Sequence, residues 1–295
     1  MRRLTYNIEA KDSGKRACDF LRREQKFSYS LIVKLRHSPE SITLNGEFIR
    51  TIDRIKENDI LEVTIPETEG SIEPNADLFA KVIYEDEDIT VFDKPAGMPV
   101  HPTKGHQNDT LANLCAAKYP CSKFRVIGRL DMDTSGIVLI AKNVHAAAVL
   151  TEQEMTKKYI AVTEETPLPL KGRIDLPIDD LNPDAHKRFV SEGGRSAVTD
   201  YEVIRSGKGL AEVDVCPKTG RTHQIRVHFS HIGNVLAGDE LYGGSRELIK
   251  RQALHRYYMS FEHPVTGEKM EFTSALPEDM QSLVDKIIEE GETEK

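Results

Sequence analysis

Gly128-Arg129-Leu130-Asp131-Met132-Asp133-Thr134-Ser135-Gly136, followed by Ile137-Val138-Leu139-Ile140-Ala141, is the stretch around which the chain is organised. Two carboxylates, Asp131 and Asp133, stand two residues apart beside Arg129, and a Thr-Ser-Gly turn follows. The apolar run that comes next is short, β-branched and bounded by Gly136 and Lys142-Asn143, which reads as a buried strand. Polar groups packed against the entry of a buried strand cost free energy unless they are paired or useful. On spacing alone the segment fits either an Asp/Ser turn heading a strand or a site that uses its carboxylates.

The bulk numbers bound the answer. A chain of 295 residues suggests one large domain or two, and 39% hydrophobic residues with ordinary Gly and Pro counts reads as soluble and globular. The longest apolar runs are strand-length, so no membrane span is expected, and the N-terminus lacks an apolar signal-peptide core. Cys18, Cys115, Cys121 and Cys216 form no C-x-x-C pair and read as free thiols in a reducing cytoplasm. The formal charge of −8 argues against a polyanionic partner, but its distribution argues the other way. Residues 1–50 hold eleven Lys/Arg against six Asp/Glu, and Val215 to Gly238 contains no acid at all. Phosphate contacts need a local positive surface, not a basic whole.

Along the chain, Leu31, Ile32 and Leu35 give helical spacing over Ser28–Arg36, with Lys34 and Arg36 facing elsewhere. Ile42-Thr43-Leu44 reads as a strand, Asn45-Gly46 as a hairpin turn, Asn58-Asp59 as a second turn, and Ile60–Ile65 as an alternating strand. The polar, acidic stretch from Pro66 to Asn75 reads as a linker. Beyond it come strand, acidic turn and strand over Ile83–Phe92. A proline-rich loop then carries a reachable Lys94 and His101, and Asp109 is expected to cap a helix holding Leu111, Leu114 and Cys115. Asn143 caps an alanine-rich helix, and Lys157–Val162 is the next strand, in which a lone Tyr159 is ordinarily core. Residues 163–199 read as loop and hairpin, with paired strands over Asp200–Ile204 and Gly209–Val215. In Lys218-Thr219-Gly220-Arg221-Thr222-His223-Gln224-Ile225-Arg226-Val227-His228 a turn leads into a helix ended by Gly233. His228 and His231 lie one turn apart on that helix, but no H-E-x-x-H occurs and no metal is expected. A hairpin over Tyr257–Phe272 and an acidic helix close the chain.

Four of these segments together resemble the RluA-type RNA pseudouridine synthases. They are Arg-Leu-Asp-x-Asp-Thr-Ser-Gly at 129–136, Lys-Pro-Ala-Gly-x-x-Val-His-Pro at 94–102, Lys-x-Tyr-x-Ala at 157–161 and Thr-Gly-Arg-x-His-Gln-Ile-Arg-Val-His at 219–228. Gly128 departs from the histidine usual in that branch, while the 219–228 segment marks the branch and is absent from the RsuA type. Residues 1–70 are similar to the small RNA-binding domain shared by a ribosomal small-subunit protein and tyrosyl-tRNA synthetases, in a degenerate form that makes the whole RluD-like.

The resemblance implies an α+β chain. Residues 81–290 form a pseudouridine synthase fold with a mixed, largely antiparallel central sheet flanked by helices. A small N-terminal α/β RNA-binding module (1–70) and a linker (71–80) precede it. It implies isomerisation of specific uridines in ribosomal or transfer RNA, by a cytoplasmic monomer with no cofactor, no metal and no membrane partner. Asp131 is then the catalytic carboxylate, Arg226 its ionic partner and Tyr159 the ring against the target base. Arg129 enters the space left by the flipped uridine or contacts its phosphates. RNA contacts fall to Arg129, Lys94, His101, Lys218, Arg221 and His223 in the core, and to Lys34 and Arg36 in the module. Asp133 is expected to hold the local turn. The rivals are an inactive RNA-binding protein of the same fold and a histidine-based metal hydrolase. An aspartic protease would need a second Asp-Thr-Gly-like segment, and none is found.

Overall fold

Two sheets account for almost all of the backbone pairing; the first has one hydrophobic cluster, and the second packs against several. The structure, a computed structural model, describes residues 2–38, 41–66, 70–120, 123–179 and 187–291. The first sheet is built from β1 (Arg2–Asn7), β2 (Ile42–Leu44), β3 (Glu47–Phe48) and β4 (Ile60–Ile65), in the order β1-β4-β2-β3. Helices α1 (Ala17–Arg23) and α2 (Tyr29–Arg36) cover it. The Ser28 side chain accepts from the Leu31 N–H and so starts α2 where the sequence puts it. Asn45 and Gly46 both take positive φ, 54° and 86°, the conformation a two-residue hairpin needs between β2 and β3. Leu31, Leu35, Ile42, Leu61 and Val63 meet in this unit's core. The sequence reading missed β1 and α1. Both are short, and β1 alternates charged and polar residues with only Leu4 buried, too little apolar pattern to stand out.

The second sheet has ten strands. In chain order they and their helices are β5 (Lys81–Glu85), β6 (Ile89–Lys94), α3 (Leu111–Lys118), β7 (Val126–Ile127), β8 (Ser135–Ala141), α4 (Val144–Glu152), β9 (Thr156–Glu164) and β10 (Lys171–Asp175). A separate two-stranded ribbon, β11 (Ile178–Asp179) and β12 (Phe189–Val190), comes next. Then follow β13 (Val198–Gly207), β14 (Leu210–Pro217), α5 (Gln224–His231), β15 (Leu254–Glu262), β16 (Lys269–Thr273) and α6 (Glu278–Gly291). The main path runs β10-β13-β14-β9-β15-β8-β6-β5, with β16 on β15 and β7 on β8. Among the described pairs only β15 with β8 is parallel, so the sheet is mixed and largely antiparallel.

β8 shows why its sequence is apolar without a break. Val138 and Ile140 face a core shared with Phe92, Tyr159, Val213 and Phe229. Ile137, Leu139 and Ala141 face another, shared with Ala146 and Leu150 of α4. A strand covered on both faces loses the polar alternation. At about 1.5–3 kcal/mol for each large aliphatic side chain fully buried, this strand alone is a substantial part of the fold's stability. β9 is used the same way: Tyr159 and Ala161 face one side, Ile160 and Val162 the other, where Met280, Leu283 and Val284 of α6 cover them.

Three readings need correction or limits. Asp109 does not cap α3. Thr110 does, in a reciprocal capping box with buried Asn113, while Asp109 bonds His106 at 2.6 Å. Cys121 and residues 180–186 of the expected loop-and-hairpin stretch lie outside the described residues, whereas Cys18, Cys115 and Cys216 are free thiols. No described helix is long and apolar enough to cross a membrane. The two sheets are in contact. Arg2 of β1 donates to both carboxylate oxygens of Asp88 (3.0 and 2.9 Å), and the Phe27 ring lies 4.2 Å from the His145 ring of α4.

Candidate active site

Asp131 sits in the loop between β7 and β8, where a turn closes through the Thr134 N–H to its own carbonyl at 3.2 Å. Two glycines make that loop feasible. Gly128 adopts φ +74° at its start. At Gly136 a Cβ would lie 2.3 Å from the Arg256 carbonyl oxygen, so only glycine lets β8 approach β15 there. Asp133 does not hold the turn through its carboxylate. Its carbonyl accepts from Arg251 at 3.1 Å, and Arg251 in turn forms a bidentate pair with Asp279 of α6 (2.7 and 2.9 Å).

The 219–228 segment brings Arg226 to Asp131. His223 takes the left-handed conformation (φ 57°, ψ 17°), and α5 starts directly after it. The Gln224 amide is saturated. Its oxygen accepts from the Thr219 hydroxyl (2.7 Å) and the Arg221 N–H (3.0 Å); its nitrogen donates to Val198 O and Thr199 Oγ1 (2.9 and 3.0 Å). This amide fixes the loop to β13 and thereby aims α5. From it Arg226 reaches down, 6% exposed, and donates Nη1 to Asp131 Oδ2 at 3.1 Å. Its Nε and Nη2 pair with Asp239 at 2.7 and 2.8 Å. Burial works to lower the Arg226 pKa, but the bonds and charge of Asp239, then of Asp131, outweigh it and raise it above the ordinary value. Asp131 keeps a side-chain exposure of 26% at the cleft wall.

Tyr159 is reached from the other side. The guanidinium of Arg256, 2% exposed, donates Nε and Nη2 to the Tyr159 hydroxyl at 2.8 and 2.5 Å and stands 5.1 Å from its ring centroid. Its remaining bonds go to the carbonyls of Gly128 (3.1 Å), Ile137 (3.0 Å) and Arg129 (3.2 Å). The register of β15 against β9 slips between His255 and Tyr258, a bulge that re-aims the side chain in between. Arg256 thus ties the tyrosine to the loop that carries Asp131.

These groups line one cleft of about 340 Å³. Of the residues singled out by sequence, Asp131, Arg226, Tyr159, Arg129, His101, Arg221 and His223 line it. His223 Nε2 lies 3.8 Å from Asp131 Oδ2, and its Nδ1 shares a 3.0 Å hydrogen bond with Tyr242. Burial lowers the His223 pKa against the pull of Asp131. Lys94 is a correction: it is fully buried, not reachable. Its ammonium donates to the carbonyls of Pro95 (2.7 Å), Met98 (2.8 Å) and Met132 (2.9 Å), stapling the proline-rich loop to the Asp131 loop. Burial pushes its pKa down to about 7. Lys218 is exposed outside the cleft beside Cys216 and Asp200, at 3.4 and 3.6 Å. Lys34 and Arg36 are exposed on α2 and do not line the cleft.

The sequence reading missed Asp239, Arg256 and Lys157. Asp239 is the first acid after the acid-free stretch, and Arg256 is a charge inside an apolar strand; each is a signal that could have been used. His228, weighed as a metal ligand, is fully buried with hydrogen bonds to Thr199 Oγ1 and Leu176 O, both 2.9 Å. Among the described residues Asp86, Asp88 and His263 are clustered closely enough to hold an ion. Their oxygens and nitrogens already pair with Arg2, Asn143, Tyr84, backbone N–H groups and one another, and none lines the cleft.

Comparison with known proteins gives the family. Residues 88–231 match the family model described as RNA pseudouridylate synthase. The chain is 35% identical over 270 residues to "Uncharacterized RNA pseudouridine synthase YjbO" of Bacillus subtilis (strain 168), covering 88% of this chain and 95% of that protein. It is 34% identical over 289 residues to "Ribosomal large subunit pseudouridine synthase D" of Xanthomonas campestris, covering 90% and 86%. Among solved structures, human RNA Pseudouridylate Synthase Domain Containing 1 matches with TM-score 0.57 at 25% identity, over 74% of this chain and 98% of that one. Human RNA Pseudouridylate Synthase Domain Containing 4 shares the fold, with TM-score 0.58 at 24% identity over 70% and 93%. The chain belongs to the RluA-type RNA pseudouridine synthase family, whose members isomerise uridine to pseudouridine in RNA.

Proposed function

We propose that this enzyme acts on a uridine of ribosomal RNA, with Asp131 as the catalytic carboxylate, and that Asp131 acts at the sugar to promote the detachment of uracil. The reaction breaks the bond from C1′ to N1 of uracil, turns the base, and joins C1′ to C5; C5 then gives up its proton and the former N1 gains one, so substrate and product are isomers and no co-reactant enters. It needs an anion beside the sugar, a face for the detached base and little water. The carrying observation is the Asp131–Arg226–Asp239 chain at 3.1 and 2.7 Å, opening onto the same cleft as the Tyr159 ring. Arg226 pairs with Asp131 and aims it, and Tyr159 supports the base.

Arg129, exposed at the cleft mouth, is the group that follows the base out of its stack or meets its phosphates. His101, Arg221 and His223 add polar contacts at the rim, and Lys34 and Arg36 give the N-terminal unit a phosphate-facing helix. The ribosomal assignment is supported by the printed name of the Xanthomonas relative and several like it. We take the enzyme to work as a cytoplasmic monomer away from membranes. Mapping pseudouridines in cellular RNA with and without the protein identifies the site. On that RNA, Asp131→Asn is expected to fold normally and make no pseudouridine. Substantial single-turnover activity in the variant would remove Asp131 from the chemistry, and a mapped site in transfer RNA would overturn the ribosomal assignment.

A further inference from the structure

Two lysines near the cleft are in opposite states: Lys94 is fully buried outside its lining, whereas Lys157 lines it and is half-buried. Lys94 donates hydrogen bonds to three carbonyls and is a structural staple. Lys157 lies in the wall beside Gly128 and Tyr159, and among the described residues it has no hydrogen-bond acceptor and no acidic partner. Its neighbours are cationic. Arg256, whose guanidinium is fully used elsewhere, is close enough to depress it, and Arg129 lines the same cleft. Burial first, then Arg256, pulls the Lys157 pKa down to about 8. The cleft's own carboxylate, Asp131, is engaged with Arg226. Desolvated cations without partners are costly, and such violations gather at functional sites.

Position 128 helps to place this ammonium. A Cβ built on Gly128 would lie 3.4 Å from Lys157 Nζ and 3.5 Å from its Cε. The lysine therefore lies against the space in which a side chain at 128 would stand. On β9, Lys157 and Tyr159 are two residues apart, so both project from one face, about 6.5–7 Å apart along the strand. A base resting on the Tyr159 ring carries its sugar and flanking phosphates within reach of that distance.

We propose that Lys157 is a substrate-contact residue that takes a backbone phosphate flanking the target uridine, and that this phosphate is the counter-ion its site lacks. The proposal rests on the reading that the target base enters beside Asp131 and Tyr159. A charge-assisted bond to phosphate is stronger than one to a neutral uracil carbonyl, and it relieves the repulsion from Arg256. Lys157 then reads the backbone, not the base, and positions the nucleotide without selecting its sequence.

The test is a single-turnover titration of the full-length protein with a stem-loop RNA carrying the mapped uridine. Wild type and Lys157→Met are each compared on all-phosphate RNA and on RNAs with one neutral methylphosphonate at each phosphate flanking the target. Lys157→Met should be as stable as wild type or more so, because an unpaired, half-buried charge is removed. Its half-saturating RNA concentration should rise about tenfold, with a salt slope shallower by about 0.7. Its rate at saturating RNA should stay within about twofold of wild type. One methylphosphonate position should reproduce the loss in wild type and add nothing in the variant. Equal sensitivity of both proteins to every methylphosphonate would overturn the proposal, as would unchanged affinity or a fall confined to the saturated rate. Asp131→Asn on the same RNA separates the two failures, since its retained activity would sink the reading of the cleft itself.

Discussion

Arg226 gives two of its three donor groups to Asp239 and one to Asp131. The bonds to Asp239 are 2.7 and 2.8 Å and that to Asp131 is 3.1 Å. Asp239 is 2% exposed, while Asp131 keeps an edge in the cleft. The buried carboxylate therefore anchors the guanidinium, and the remaining nitrogen is presented to Asp131 in a fixed direction. The Tyr242 ring, 5.1 Å from the Arg226 carbon, and the helix α5 behind it leave the fork little freedom.

That division of labour gives the first prediction. Lysine at 226 would keep the charge but could not bridge Asp239 and Asp131 with fixed geometry. Arg226→Lys is expected to lower the single-turnover rate at saturating RNA by about a hundredfold, with a much smaller loss of RNA affinity. Asp239→Asn, which touches no substrate, should show the same split in milder form. A normal saturated rate in both variants, with weaker binding only, would make Arg226 a phosphate anchor.

Much of this was legible beforehand, for physical reasons. β8, α4, β9 and the α5 segment stand out because a strand or helix covered by a core has a strict apolar pattern, and their caps at Asn143 and Ser28 are local chemistry. The cleft residues on quoted motifs, Asp131, Arg226 and Tyr159, do meet. What was not legible depends on contacts made across the chain. Lys94 looks like any exposed lysine until three carbonyls from two loops are folded around it. Arg256 sits in an ordinary-looking strand, and its role comes from loops about 120 residues away in sequence. Asp109 and Thr110 are equally good caps by type, and the choice fell to the buried Asn113.

The second prediction concerns the Tyr159 hydroxyl, which accepts two bonds from Arg256 and is expected to serve structure rather than proton transfer. Tyr159→Phe keeps the ring and leaves two buried donors unmet, at a cost of about 1–3 kcal/mol in unfolding free energy. Its saturated rate, measured where it is fully folded, should stay within about tenfold of wild type. Arg256→Met strands the phenol and three carbonyls at once and should cost more, about 3–5 kcal/mol. Denaturant unfolding and single-turnover rates on the same preparations check both. A folded, stable Tyr159→Phe protein with no activity would give the hydroxyl a chemical role.

The last prediction concerns the joint between the two sheets. Phe27 of the N-terminal unit lies against His145 of α4, and Val144 and Val265 pack into that unit's core. Removing residues 1–75 would expose these side chains and take Arg2 from buried Asp88, so the remaining core is expected to fold with reduced stability. His145 makes the joint sensitive to acid. It is 2% exposed and its Nδ1 has no hydrogen-bond partner. Burial, only partly opposed by Asp88, pushes its pKa down to about 4. The unfolded chain, with an ordinary histidine, takes up its proton first as pH falls below about 6.5, and stability drains away from there down to about 4. Between pH 7 and pH 5 this one group should cost about 2 kcal/mol. His145→Phe keeps a ring beside Phe27 and has nothing to titrate. Urea unfolding at the two pH values should therefore show wild type losing more stability than the variant by about that amount. Equal losses in the two proteins would show that His145 is not the acid-sensitive group of the joint.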